Sequence, residues 1–280
     1  MANHLAGIDH AIVGVRDLEQ ARATFERLGF RLTPLARHRG RGTGEHGLMF
    51  AGDHVELCGI VDPAEGSEPL ERFLAGGEGL WALALRTADP EATRAAWQAA
   101  DLDPAPVAED ARIVAPDLEL RCTDVMLDAA ATGGVPLFAC AQQQPEQQRR
   151  PEWLGHPNGA QRIGSITVVV DQPEALVEPM GRVFGATSLT ETDDTLAVHT
   201  GGNVLLFATA DDLDMLHPEL EESLRAERPT LAVLTLVVPD LAATAAVLDR
   251  NDVAYRQDTS GAIGIAPAYS HGVMLEFVAG

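Results

Sequence analysis

Gly-Ile-Asp-His-Ala-Ile-Val-Gly-Val-Arg-Asp-Leu at residues 7–18 and His-Val-Glu-Leu-Cys-Gly-Ile at residues 54–60 are the two runs that decide how this chain is read. The first is an apolar, β-type run that stops at Asp17, where helical spacing begins; the second is an apolar run that closes the same unit. His10 and Glu56 stand inside them. An imidazole and a carboxylate on two core strands need a common partner, and a divalent metal is a natural one. A buried His–Glu hydrogen bond without an ion is the alternative.

The same pattern returns along the chain. Apolar runs open at Ile8–Val15, Trp81–Arg86, Ile166–Val170 and Leu231–Val238. Helical periodicity follows at Leu18–Leu28, Glu91–Ala100, Glu174–Phe184 and Leu241–Arg250, with Asp17, Asp89, Asp171 and Asp240 near the starts as caps or first-turn acids that complement the helix dipole. Closing strands are expected at Val55–Ile60, Val135–Cys140, Val204–Phe207 and Val273–Val278. Each unit reads β-α-β-β-β, and four short helices among many strands indicate an α+β fold. The expected organisation is residues 1–142 holding units one and two, a linker over 143–161 that folds back through Trp153, and residues 162–280 holding units three and four. The acidic stretch at 210–229 is expected to be helical.

Composition narrows the chemistry. The 280 residues carry 42 acidic and 20 basic side chains, a formal charge of −22 that repels nucleic acid and anionic membranes. All of the basic residues are arginine, which removes Schiff-base and P-loop lysine chemistry. Three cysteines, Cys58, Cys122 and Cys140, lie in apolar runs and read as reduced core thiols. With no apolar run of about 18 residues and no basic leader at the N-terminus, the expectation is a soluble cytoplasmic protein. No Gly-x-Ser-x-Gly elbow, no Gly-x-Gly-x-x-Gly opening a helix, no His-Glu-x-x-His and no Cys-x-x-Cys is present.

Asp9-His10, Leu28 to Thr33, Arg37-His38, Gly42-Thr43, His46, Val55-Glu56-Leu57, Pro151 to Trp153, His156 to Ala160 and Gly272 to Phe277 resemble the glyoxalase-like domain proteins of the vicinal oxygen chelate superfamily, which includes glyoxalases, bleomycin-resistance proteins and extradiol dioxygenases. The resemblance runs nearly end to end. It implies four βαβββ modules paired into cupped, half-open barrels, with metal ligands on the opening and closing strands. His10, Glu56 and Glu276 match that pattern. Ala82, Ser165 and Val233 stand where other modules would carry the histidine, and Pro136 or Leu137, and Leu205, where they would carry the glutamate.

The function so implied is that of a metal-dependent lyase, isomerase or dioxygenase acting on a small metabolite with vicinal oxygens. The same fold also serves binding and sequestration proteins, and no catalytic residue is singled out. The cofactor would be Zn²⁺, Fe²⁺, Mn²⁺, Ni²⁺ or Co²⁺. Arg37, His38, Thr43, His46, His156 and Asn158 are the expected substrate contacts, and His38, His46, His156 and His271 are further sources for a third ligand. A solvated loop is the alternative for Arg37 to His46, and a plain turn for His156 to Asn158. His54 and the remaining histidines are given no role. The expected partner is a small molecule rather than nucleic acid or membrane, and the chain could form a homodimer.

Overall fold

The computed structural model describes residues 4–192, 194–214 and 228–280, and four βαβββ units follow one another in it. The first comprises β1 (Leu5–Gly14), α1 (Leu18–Arg27), β2 (Ala36–His38), β3 (Thr43–Met49) and β4 (His54–Ile60). After α2 (Glu68–Ala75), the second has β5 (Gly79–Thr87), α3 (Pro90–Ala99), β6 (Ala108–Ala115), β7 (Leu118–Met126) and β8 (Leu137–Gln142). The short helix α4 (Pro145–Gln148) precedes the third unit, β9 (Arg162–Val169), α5 (Val177–Phe184), β10 (Leu189–Glu191), β11 (Thr195–His199) and β12 (Val204–Ala208). Helix α6 (Ala210–Asp214) begins the acidic connection, of which residues 215–227 lie outside the described residues. The fourth unit is β13 (Thr230–Val238), α7 (Leu241–Arg250), β14 (Arg256–Gln257), β15 (Ile263–Ile265) and β16 (Met274–Ala279).

Helix starts follow local chemistry. Asp17, Asp89 and Asp240 are N-caps whose carboxylates accept first-turn backbone N–H groups, each capping bond contributing about 1 kcal/mol. Asp171 is not a cap. Pro173 opens a 3₁₀ turn after Gln172, and regular helix begins only at Val177. No described helix is long and apolar enough to cross a membrane.

The two halves close differently. Strands β1 to β8 form a closed barrel in the order β1-β4-β3-β2-β6-β7-β8-β5, whereas β9 to β16 form an open sheet running β10-β11-β12-β9-β13-β16-β15-β14. Half-open cups were the expectation for both halves. The first closes because three-residue β2 pairs with β3 on one side and with β6 of the next unit on the other, putting Arg37 opposite Ile113 and His38 opposite Arg112. The equivalent ends of the second sheet, β10 and β14, pair on one side only.

A shared apolar core and a few buried polar ties hold the halves together. Phe25, Phe30 and Phe277 form an aromatic chain across the seam with ring centroids 5.8 and 6.1 Å apart. Asn203 accepts from Ile8 N and donates to Ile163 O, while Asp53 accepts from Ile163 N. Gly29, at φ +85°, sits where a Cβ would lie 2.7 Å from Val247, so glycine fits both the backbone and the space.

The 143–161 segment folds back as expected. Trp153 packs with Met49, Leu118 and Leu120. His156 accepts from Arg31 N at Nδ1 and donates to Met49 O through Nε2, and Asn158 donates to Leu28 O. Burial of the His156 ring, aided by the nearby Arg31 charge, outweighs its bond to Met49 O and lowers its pKa from 6.5 to about 4.

The folded state therefore favours neutral His156. Its stabilisation is complete above pH 6.5 and is lost as pH falls towards 4, a difference of up to about 3 kcal/mol. Melting curves between pH 7 and pH 4 should show a steeper loss of Tm for the wild type than for His156→Gln, whose side chain does not titrate. Parallel losses would show that His156 is solvated.

Candidate metal and substrate site

Inward-facing side chains of the closed barrel enclose a cavity of about 260 Å³. Its polar floor is built by two neighbouring strands. Parallel pairing of β1 and β4 sets His10 opposite His54 and Ile12 opposite Glu56. His54 and Glu56, two apart on β4, share a face. The β1–β5 register slips between Ile8 and His10, and at this irregularity the adjacent Asp9 and His10 are both buried and bonded to each other.

His10 Nδ1 lies 2.9 Å from Asp9 Oδ1, and its Nε2 lies 3.6 Å from Glu56 Oε2. His54 Nε2 is 2.9 Å from Glu56 Oε1, and the two imidazoles lie 4.6 Å apart at 30°. Gln148, from the connecting segment, also reaches His54 Nε2. On the other side Arg112 Nε is 2.9 Å from Glu45 Oε1, and its Nη1 is 3.6 Å from Glu56 Oε1. His38 bridges Thr43 Oγ1 and Glu45 Oε2. Apolar Ile12, Trp81, Leu127 and Phe138 line the rest of the cavity, with Phe138 edge-on to His10.

Electrostatics separates the two histidines. Burial disfavours charge on His10, but the Glu56 carboxylate and the bond to Asp9 outweigh it and raise its pKa to about 9. Burial lowers His54 despite its bond to Glu56. Burial would raise Glu56, yet His10, His54 and Arg112 together hold it well below the usual carboxylate range. Asp124, on the opposite wall, is raised by burial to about 6.

Of the residues singled out in the sequence, the barrel brings His10, Glu56, His38 and Thr43 to one cavity. It places the others elsewhere, and strand alternation explains two of them. On β2 and β3, His38 and Glu45 point inward, so the adjacent Arg37 and His46 point outward; His46 meets the Thr33 carbonyl and lies 3.8 Å from Glu19. His156 and Asn158 belong to the seam. Glu276 stands on the second sheet, opposite Thr235, whose hydroxyl donates to it, and is not among the cavity residues. His271 bonds Glu78 and Thr24 in a separate cleft.

Register also corrects the alignment of the other units. Ile12 pairs with Glu56, and the corresponding pairs are Ala84 with Phe138 and Thr167 with Leu206. Phe138 and Leu206 therefore occupy the glutamate position, not Pro136, Leu137 or Leu205. The shift arises because β8 begins only at Leu137.

Sequence reasoning missed His54, Arg112 and Gln148. His54 carried a usable signal, the His-x-Glu spacing that puts both side chains on one strand face. Arg112 carried none, because its carboxylate partners are brought to it only when β6 pairs with β2.

The residues present suit a divalent cation. His54 Nε2 and His10 Nε2 lie 2.9 and 3.6 Å from the two Glu56 oxygens, which brings two imidazole nitrogens and a carboxylate together, and Asp9 lies with both rings in one buried donor cluster. The bond from Asp9 to one imidazole nitrogen leaves the other facing Glu56, the usual arrangement behind a ligating histidine.

Comparison with known families matches the glyoxalase-like domain over residues 8–184. The chain belongs to that family. Among solved structures, a hypothetical protein from Staphylococcus aureus superposes with a TM-score of 0.71 at 12% identity, covering 97% of this chain and 98% of its own. A xylose isomerase-like TIM barrel/4-hydroxyphenylpyruvate dioxygenase fusion protein gives 0.60 at 15% identity, over 100% of this chain and 49% of the fusion. A triple mutant of 4-hydroxymandelate synthase from Streptomyces coelicolor gives 0.56 at 15%, over 98% and 92%. No curated protein matches the sequence. The glyoxalase-like chain thus has the vicinal oxygen chelate fold, and at these identities the likeness speaks to fold alone.

Arg112 is the buried cation that separates Glu45 from Glu56. Arg112→Met keeps much of the volume, leaves the buried Glu45 without its arginine and leaves Glu56 to His10 and His54, for an expected loss of about 3–5 kcal/mol in urea unfolding at neutral pH. Adding Glu45→Gln should restore part of it. A loss below about 1 kcal/mol would mark the pair as solvent-screened.

Proposed function

We propose that this glyoxalase-like protein is a metal-dependent enzyme acting on a small, oxygen-rich metabolite inside the first barrel. The observation that carries the reading is the convergence of His10 and His54 on Glu56, with His10 and Glu56 lining the barrel cavity, His54 buried beside them and Asp9 orienting His10 from behind. Two imidazoles and a carboxylate form a donor set suited to first-row divalent ions. The bound cation would polarise two adjacent substrate oxygens as a Lewis acid.

The chain's own residues supply the rest. A cavity of about 260 Å³ lies below the usual range for drug-sized ligands, which favours a small metabolite. Trp81, Leu127 and Phe138 exclude water on one side. Arg112 sets a positive charge beside Glu56 that favours an anionic substrate group, and its grip on Glu45 fixes the guanidinium in place. His38 and Thr43 present a hydrogen-bonded pair on the cavity wall, with Glu45 holding the imidazole.

A second reading, a cup that binds without chemistry, is favoured by the same arginine. Asp9, Glu45 and Glu56 already face Arg86, Arg112 and a protonated His10, so the cluster is neutral without a further cation.

Metal analysis separates the readings. Protein purified without chelator should carry divalent metal, and Glu56→Gln should lose an equivalent of it with little change in Tm. His54→Asn should do the same, because it removes a donor named only by the first reading. Metal content identical in the wild type and both variants would support the binding cup.

A further inference from the structure

The wall opposite the histidines carries a second donor cluster. Cys122 and Asp124 alternate on β7 and therefore share a face, and antiparallel pairing sets Asp124 directly opposite Cys140 on β8. The two sulfurs and a carboxylate oxygen lie within 4.8 Å of one another. Both thiols are buried, and Asp124 Oδ2 accepts the Cys122 thiol at 3.9 Å. Asp124 Oδ1 is buried with no hydrogen-bond partner. Leaving a buried carboxylate oxygen unpaired costs free energy, so an atom of this kind requires an account.

We propose that Cys122, Asp124 and Cys140 form a second metal site, one that takes a soft divalent cation such as Zn²⁺ through two thiolates and a carboxylate. Ligand chemistry separates it from the first site, since thiolates select thiophilic ions whereas the His/Glu set at β1 and β4 is served by nitrogen and oxygen alone. Three protein ligands leave a fourth position open. Cys122 and Asp124 line the cavity and Cys140 lies behind them, so the open position faces the same enclosed space as His10 and Glu56. Gln142 joins the two clusters, its Nε2 donating to Asp9 Oδ1 at 2.9 Å and lying 3.3 Å from Cys140 Sγ. Binding is balanced: the dication enters, two thiol protons leave to solvent, and no electron is transferred.

Cobalt(II) tests this without reference to activity. Chelator-stripped full-length protein titrated with Co²⁺ should develop a thiolate-to-cobalt charge-transfer band in the near ultraviolet, displaced by Zn²⁺. The band should persist in Glu56→Gln, which disables only the first site, and in Cys58→Ser. It should vanish in Cys122→Ser and in Cys140→Ser, and Asp124→Asn should weaken Co²⁺ affinity roughly tenfold or more. Absence of the band in the wild type, or its survival in both the Cys122 and Cys140 variants, overturns the proposal. Should the serine variants fail to fold, alkylation of the wild type gives the answer: Zn²⁺ must slow modification of Cys122 and Cys140, and equal rates with and without Zn²⁺ overturn the site.

Discussion

A charge placed inside a small barrel must be matched by another within a few ångström, and the first half of this protein is organised around that constraint. Arg112 is its centre. The guanidinium lies 2.9 Å from Glu45 and 3.6 Å from Glu56, and these carboxylates reach onward to His38, His10 and His54. Removing Arg112 exposes Glu45 to the desolvation penalty of an uncompensated charge. The barrel's closure belongs to the same arrangement, because the β2–β6 ladder that seals it is the one that brings His38 level with Arg112.

The contrast between the halves follows. Both are built from the same βαβββ unit, yet in the second sheet the places of Ile12, His10 and Glu56 fall to residues such as Thr167, Val233 and Leu206. Glu276 keeps its carboxylate, to which the Thr235 hydroxyl donates. Without buried charge there is no polar network to enclose, and β10 and β14 remain sheet edges. The second half acts as support: Phe277 stacks on Phe30, Trp97 donates to Val183 O, and Asn203 ties β1 to β9.

Much of this was legible in the sequence because it is local. The caps at Asp17, Asp89 and Asp240, the helix over Leu241–Arg250 and the opening and closing strands all follow from patterns read over ten or so residues. The pairing of His10 with Glu56 could be read because both interrupt apolar runs. What escaped depends on contacts far apart in the chain. Period-two alternation shows that Glu45 and His46 face opposite ways but not which of them faces inward, and that choice rests on pairing with β2 and β4. Arg112 is 56 and 67 positions away from the two carboxylates it joins. The glutamate-equivalent position on β8 falls at Phe138 rather than Pro136 or Leu137, in a unit where the loop before β8 runs longer than its counterpart before β4.

The distances around Arg112 bear on which reading of the site the geometry favours. Were Arg112 matched chiefly to Glu56, that carboxylate would already have its cation and would be a poor ligand. The closer partner is Glu45, held through Nε at hydrogen-bond distance, while Glu56 lies beyond it at 3.6 Å. Two imidazole nitrogens turn to Glu56 instead, His54 Nε2 at 2.9 Å and His10 Nε2 at 3.6 Å, and Asp9 secures the far side of the second ring. Glu45 thus takes the closer hold on the guanidinium, and His54 the closer hold on Glu56. An arginine retained only to neutralise Glu56 has no need of a second carboxylate. An arginine that must stand beside a cation without repelling it does, and the Glu45 carboxylate supplies that offset at 2.9 Å.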